Sequence, residues 1–524
     1  MKIFFAKTIG AASVPVFILK EQQSLEWHPF FKLLAENDQK HLLAFQKKSP
    51  LKDTHNHLVF LPSGREAALI GVPEKAKWNH RKAMLAARRA VWFARRERVK
   101  NIAVNLDDFA SAATVKDRGM LAEVMATHFT IANFESTEYK TSSSQRWSFV
   151  EEIAFFSLKP SAAIERSVAT GIVIGEETNK ARALANTPGG DMTPAKLAEE
   201  AAKAGKEAGF SVTVLDEAEI KKLKMGGVLG VAQGSVERPR FIVMEYWGQR
   251  KTLRPAQGKP IVLVGKGVTF DTGGLNLKPR DGIYEMHMDM SGGAAVIHAL
   301  AALARMKVKK NVIGLVPAVE NMPSGSSYRP GDVLRSMSGK TIEVLDTDAE
   351  GRIILADALT YAKRYEPRLV VDVATLTGAA MVALGQRASA LFATDKRLEE
   401  CFRAAGERTG DFVWPLPLWE EYEEEIQGTF ADLANVGKAS GRIGGAVTAA
   451  VFLWQFIKAT NGTKATGDPP AGRAGQRQGT RSERDTPWVH LDIAPRMTTV
   501  EGGFLAKGSA GAGVGVLVEA IRRT

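Results

Sequence analysis

An α/β fold is predicted for this chain, in two parts: a smaller N-terminal α/β domain over residues 1–164 and a larger C-terminal domain over residues 165–524, whose central, mostly parallel sheet is flanked by helices. Three observations carry that prediction. The 524 residues exceed what one ordinary core organises, so more than one domain is expected. Short apolar runs of strand length alternate with helix-like stretches along the whole chain. The runs beyond residue 210 are almost continuously β-branched and bounded by helices, as in parallel strands covered on both faces.

The elements follow in order. MKIFFAKTIGAASVPVFILKE reads as strands, because Lys7 interrupts its apolar run too early for a signal peptide. HLVFLP, EAALIGV, NIAVNLDD and SFVEEIAFFSL supply the remaining strands of the first domain. Between them HRKAMLAARRAVWFARRERVK, residues 80–100, forms a helix. Its Ala83, Ala87, Ala90 and Ala94 make one smooth stripe for packing, while Arg81, Arg88 and Arg95 recur on the opposite side as a solvated face. Leu85 and Trp92 share the arginine side, so arginine stems or a partner must cover them. A long helix then runs from about residue 165 to Asn186, and TPGGDMTP enforces a turn in which Thr193 caps and Pro194 begins the next helix. FSVTVLD, RFIVMEY, KPIVLVGKG and NVIGLVPAVE read as strands, and GGAAVIHALAALARM as a helix. Residues 460–487 hold nothing more apolar than Ala or Pro and read as a flexible surface loop, with 249–259 a shorter one.

Composition narrows the function classes. With 45% hydrophobic and 24% charged residues the chain is of soluble globular type. The single cysteine, Cys401, excludes an internal disulfide framework and fits a reducing compartment. The longest uncharged apolar stretch, residues 443–457, is shorter than the roughly 18 residues a membrane span needs, so a cytoplasmic location is expected. A net charge of +12 admits nucleic acid as a partner, through Arg88, Arg89, Arg95 and Arg96.

The chemistry concentrates in two places. GKGVTFDTGGLNLKP carries Lys266, Asp271 and Lys278, and MHMDMSGGAAV follows with Asp289. DTDAEGR carries Asp346, Asp348, Glu350 and Arg352 between the apolar KTIEVL and the helix-like IILADALTYAKRY. Both fall where strands end, the edge at which open α/β sheets bind ligands. Carboxylates gathered there cannot all stay ionised unless cations lie between them. Asp348 and Glu350 leave the same face of an extended segment and can reach one ion or two adjacent ions. Oxygen-rich ligation favours magnesium, manganese or zinc. Competing centres are weak: no H-E-x-x-H, G-x-S-x-G or phosphate loop occurs. His287 reads as a packed neighbour of the acids, and His490 with Asp492 as structural. The G-x-G-x-G at 511–515 has no βαβ unit after it.

In this order and spacing GKGVTFDTGGLNLKP, MHMDMSGGAA, ENMPSGSSYRPGDVL, DTDAEGRIILADAL, DVATLTGA and WVHLDIA closely resemble the leucyl aminopeptidase (cytosol aminopeptidase) family of two-metal exopeptidases, over roughly residues 165–524. The resemblance implies a catalytic metallopeptidase domain there, and a macro-domain-like N-terminal third. It implies two divalent ions, manganese or zinc. Lys266 and Asp289 complete one metal site, Asp348 the other, and Asp271 and Glu350 serve both. Lys278 stabilises the developing oxyanion and contacts substrate; Arg352 holds a bicarbonate that shuttles protons. Met286, Thr375, Leu376 and Gly378 surround a pocket for an apolar first residue such as leucine. Asp346 stands beside the peptide cleft, where the family often has Asn. A cytoplasmic homohexamer acting on peptide substrates is the implied form.

Overall fold

The computed structural model describes residues 1–141, 148–156, 160–249, 258–438, 443–458 and 485–524. Most of the two loops expected at 249–259 and 460–487 lies outside the described residues.

The N-terminal strands form a six-stranded sheet in the order Lys2–Phe5, Glu152–Phe156, Asn101–Asn105, Val14–Lys20, Glu66–Val72, Asn56–Phe60. Its neighbours are parallel except the last pair. The alanine stripe of helix His80–Arg96 packs on this sheet as its spacing predicts. Beyond Arg81, the arginine side does not face water. Arg89 is buried and donates to the carbonyls of Asp53, Gly71 and His55. Arg95 is buried and donates to those of Ser148, Ala132 and Phe134, with Glu135 at 2.9 Å. Arg88 is partly buried against His128. Periodicity shows which side a residue takes but not that loop carbonyls wait there for donors, and these guanidinium groups satisfy them. Of the expected solvated face only Arg81 stays exposed, and of the nucleic-acid patch, Arg88, Arg89, Arg95 and Arg96, only Arg96 does. Trp92 is covered by Phe504, at 5.7 Å between ring centroids, so the partner that shields it is the other half of the same chain.

Helix Ala162–Asn186 packs on both halves, against helices Arg118–Ala132 and Ser291–Arg305. The expected domain boundary at 164/165 falls in its first turn. Near its end the fully buried Arg182 donates to Ile131 O (2.9 Å) on the N-terminal side, and to Ser509 O (2.9 Å) and Ala506 O (3.1 Å) near the C-terminus. Thr193 caps the next helix, Pro194–Ala208, through Lys196 N, and Gly209 ends it with φ 87°.

The larger sheet has nine strands. Its main path runs Val413–Pro415, Ser389–Ala393, Trp488–Asp492, Leu369–Ala374, Ile261–Gly265, Asn311–Asn321, Arg240–Trp247, Ser211–Leu215, and Gly267–Asp271 pairs beside Asn311–Asn321. The centre is parallel, while antiparallel pairs occur toward both margins. Alternation along Ile261–Gly265 sends Ile261 and Leu263 into one core and Val262 and Val264 into the other, so helices cover both faces. No helix among the described residues is long and apolar enough to cross a membrane.

One placement differs from expectation. The strand within KTIEVL, Thr341–Glu343, is not part of the large sheet. It pairs with Val333–Arg335 and Leu433–Ala434 in a separate three-stranded sheet. DTDAEGR thus reaches the functional edge from the side, through the start of helix Glu350–Ala362, which packs on the large sheet.

Candidate metal centre

Four parallel strands end at one edge of the large sheet and aim the side chains. Lys266 follows Ile261–Gly265, Asp271 ends Gly267–Asp271, Asn321 ends Asn311–Asn321 and Thr375 follows Leu369–Ala374. Asp289 enters from the turn before helix Ser291–Arg305.

Two loops distant in sequence are stitched together here by neutral side chains. Thr347 donates from Oγ1 to Gly273 O (2.6 Å), and its N–H reaches Asn276 Oδ1 (3.0 Å). Asn321 Nδ2 donates to both Asp271 Oδ1 (2.8 Å) and Thr347 O (2.9 Å), and Tyr328 Oη donates to that same carbonyl at 2.7 Å. Asn435 holds the far side of the turn through Leu345 N, Asp346 O and, from its own carbonyl, Arg352 Nη1 at 2.8 Å.

The result brings the expected ligands together. Carboxylate oxygens of Asp271, Asp348 and Glu350 all lie within 4.8 Å of one another. Lys266 Nζ sits 2.8 Å from Asp289 and 2.7 Å from Glu350, and donates to Thr375 O at 3.0 Å. Lys278 Nζ bridges Asp271, at 2.9 Å, and Asp348. Thr375 Oγ1 donates to Asp289 Oδ1 at 2.7 Å, which orients the free oxygen of that carboxylate inward. Gly378 begins a short helix capped by Thr377, and Asp492 grips this turn through Leu376 N (3.1 Å) and Thr377 Oγ1 (2.6 Å). Met286 stands three residues before Asp289 and is partly buried. Asp346 spends one oxygen on Asp348 N at 2.9 Å, a local turn that aims the Asp348 carboxylate. His287 is not part of the acidic cluster, and His490 is fully buried on Asp372.

Backbone approach decides two glycines. Gly273 has φ +85° and lies where a methyl would come 3.0 Å from Asp348 Oδ1. Gly351 lies in the first turn of helix Glu350–Ala362, and a methyl there would sit 2.6 Å from Lys266 Cε. Gly351→Ala should therefore separate stability from activity. Alanine favours a helix by about 1 kcal/mol over glycine, so the melting temperature should hold or rise. Displacement of Lys266 should lower activity by roughly tenfold or more. Unchanged activity would show that Lys266 has room to spare.

The donor set fits divalent cations. It consists of hard carboxylate oxygens with one amine, and Asp289 Oδ2 and Glu350 Oε1 are buried without a hydrogen-bond donor beyond the Lys266 ammonium they face. Asp289, Asp348, Glu350, Lys266 and Lys278 are biased the same way. Burial, with repulsion from Asp271 and Glu350, pushes Asp348 up to about 7, and burial likewise raises Asp289 and Glu350. Burial opposes charge on Lys266 and Lys278, but the surrounding carboxylates outweigh it and raise both. The cluster thus draws positive charge more strongly than the same groups do in water. Arg352 is also buried, which lowers its pKa to about 10 and leaves it charged at neutral pH, with Nε unpartnered. Sequence reasoning did not single out Asn276, Asn321, Thr347 or Asn435. Asn321 and Asn435 had a positional signal only, at or just beyond the end of a strand.

Residues 179–518 match the family described as "Cytosol aminopeptidase family, catalytic domain". A probable cytosol aminopeptidase of Azoarcus sp. (strain BH72) is 46% identical over 361 residues, 69% of this chain and 65% of that protein. Another, of Roseiflexus castenholzii (strain DSM 13941 / HLO8), is 45% identical over 359 residues, 68% of this chain and 67% of that protein. The match spans about two thirds of the length of these relatives. A solved tomato leucine aminopeptidase mutant superposes with a TM-score of 0.81 at 29% identity, over 100% of this chain and 97% of that one. The bottromycin maturation enzyme BotP in complex with Mn gives 0.79 at 30% identity, over 98% and 99%.

Proposed function

The chain belongs to the cytosol aminopeptidase family, and from that premise we propose that it is a metal-dependent aminopeptidase that removes apolar N-terminal residues, leucine among them, from peptides. The observation that carries this reading is the convergence of Asp271, Asp348 and Glu350 within 4.8 Å, flanked by Lys266 and Lys278. Lys266, Asp271, Asp289 and Glu350 would hold one divalent ion, and Asp271, Asp348 and Glu350 a second, with manganese or zinc the matching metals. Bound ions would supply Lewis acidity and water whose pKa falls from 15.7 towards about 7.

The chain's own residues divide the remaining work. Lys266 gives up its proton to serve as a ligand, so ion uptake is coupled to proton release. Lys278, 15% exposed at its side chain, faces the cleft and donates to the substrate carbonyl oxygen as charge develops there. Arg352, fixed on Asn435 O with Nε unspent, would hold an anion such as bicarbonate, which would supply a proton-shuttling group beside the leaving amine. Met286, Thr375, Leu376 and Gly378 bound the pocket for the first side chain. Assembly of copies into a homohexamer belongs to the same reading. The single Cys401, free of any disulfide, is in keeping with a cytoplasmic location.

The test is release of leucine from a chromogenic leucyl amide. Activity should vanish with a chelator and return with manganese or zinc, while an N-acetylated leucyl amide should resist cleavage. Activity indifferent to the chelator, or equal cleavage of the acetylated compound, would remove this reading.

A further inference from the structure

A cavity of 540 Å³ lies between helix His80–Arg96 and the C-terminal half, away from the acidic cluster. Its volume is that of a small-molecule site, about 300–1,000 Å³. Much of the lining is apolar: Met84, Leu85, Leu384, Phe412, Trp414 and Leu505. Arg81, Arg88, Arg387 and Arg496 also reach it.

These cations are not equally matched. Arg81 is paired with Glu407 and lies over the Phe412 ring at 4.4 Å. Arg496 pairs with Asp411 Oδ1 at 2.8 Å. Arg88 donates from Nε to His128 Nδ1 at 3.0 Å, which makes that histidine an acceptor and so uncharged. Asp411 attracts Arg88 from nearby but spends its hydrogen bonds elsewhere, Oδ1 on Arg496 and Oδ2 on Gly513 N (2.8 Å) and Val516 N (3.2 Å). Burial lowers Arg88 only to about 10, so its charge persists at neutral pH. A guanidinium held in an apolar cavity without a carboxylate partner is costly unless an anion meets it.

We propose that this interdomain cavity binds a small organic monocarboxylate with an apolar or aromatic body, its carboxylate on Arg88 and its body among Met84, Leu85, Phe412 and Leu505. The occupant follows from the lining. A compact inorganic anion would leave the apolar walls unused, and a neutral hydrocarbon would leave Arg88 unanswered. Binding here does not depend on the peptidase reading, so the failure of either is visible without the other.

Titration calorimetry of the full chain with phenylbutyrate, beside phenylbutanol as its uncharged counterpart, decides it. Phenylbutyrate should bind saturably and about tenfold more tightly than the alcohol, the margin expected of a charge-assisted hydrogen bond. Arg88→Gln should weaken it by about tenfold, and Leu85→Trp, which fills the cavity without touching charge, should weaken it comparably. Absence of saturable binding, equal affinity for the alcohol, or wild-type affinity in either variant overturns the proposal. If Arg88→Gln does not fold, Leu85→Trp decides alone.

Discussion

Replacing Asp271 with Ala should empty both metal sites and reduce leucyl-amide hydrolysis to background. On the proposed assignment Asp271, like Glu350, is shared by both ions. Oδ1 is fixed by Gly273 N and Asn321 Nδ2, each at 2.8 Å, while Oδ2 faces Lys278. Loss of a ligand shared by two ions withdraws negative charge from each. The fold should survive. Removing the carboxylate strands two donors, at about 1–3 kcal/mol for each buried group left unpaired, but relieves repulsion with Glu350, Asp289 and Asp348. These terms oppose one another, so the metal-free variant should unfold within a few degrees of metal-free wild type. Metal content by mass spectrometry and melting by calorimetry check the two halves. A variant that keeps one ion per chain would show that Asp271 serves a single site.

Lys278→Ala should behave differently: turnover should fall by roughly a hundred- to a thousandfold, the range for loss of one preorganised oxyanion donor, with metal content near normal. The contrast with Lys266 explains why. Lys266 is buried, tied to Thr375 O and enclosed by Asp289 and Glu350. Lys278 is partly exposed where it touches Asp271 and Asp348, and no backbone carbonyl holds its ammonium among the described residues. The loss should appear in kcat more than in KM, because the ammonium is worth most when the substrate oxygen carries charge. Metal loss as severe as that of Asp271→Ala would make Lys278 a structural counter-ion.

The sequence made the central features legible for identifiable reasons. β-branched runs marked Ile261–Gly265 and Asn311–Asn321, and carboxylates placed just beyond apolar runs marked Asp271 and the Asp348–Glu350 pair. What stayed hidden was what depends on partners far away in the chain. Thr341–Glu343 reads like any apolar strand, yet its partners at 333–335 and 433–434 build a separate sheet. Asn435 lies some 86 residues from the turn it holds at Ala349, in a stretch with no local pattern. Arg89 and Arg95 have the composition of a solvated face, but the carbonyls that bury them come from loops whose course no periodicity predicts. The constraint on Gly351 is equally non-local, because it comes from the side chain of Lys266, which follows the strand Ile261–Gly265 far earlier in the chain.

Arg182 binds Ile131, Ala506 and Ser509 through one guanidinium, and so joins segments that are far apart in the chain at a single buried point. Opening either half breaks part of this set and leaves the guanidinium short of acceptors where it stays buried, which couples the two halves. The two sheets should therefore melt as one cooperative unit, with a single calorimetric transition. Excising the N-terminal residues would then yield an unstable remainder and not an independent catalytic half.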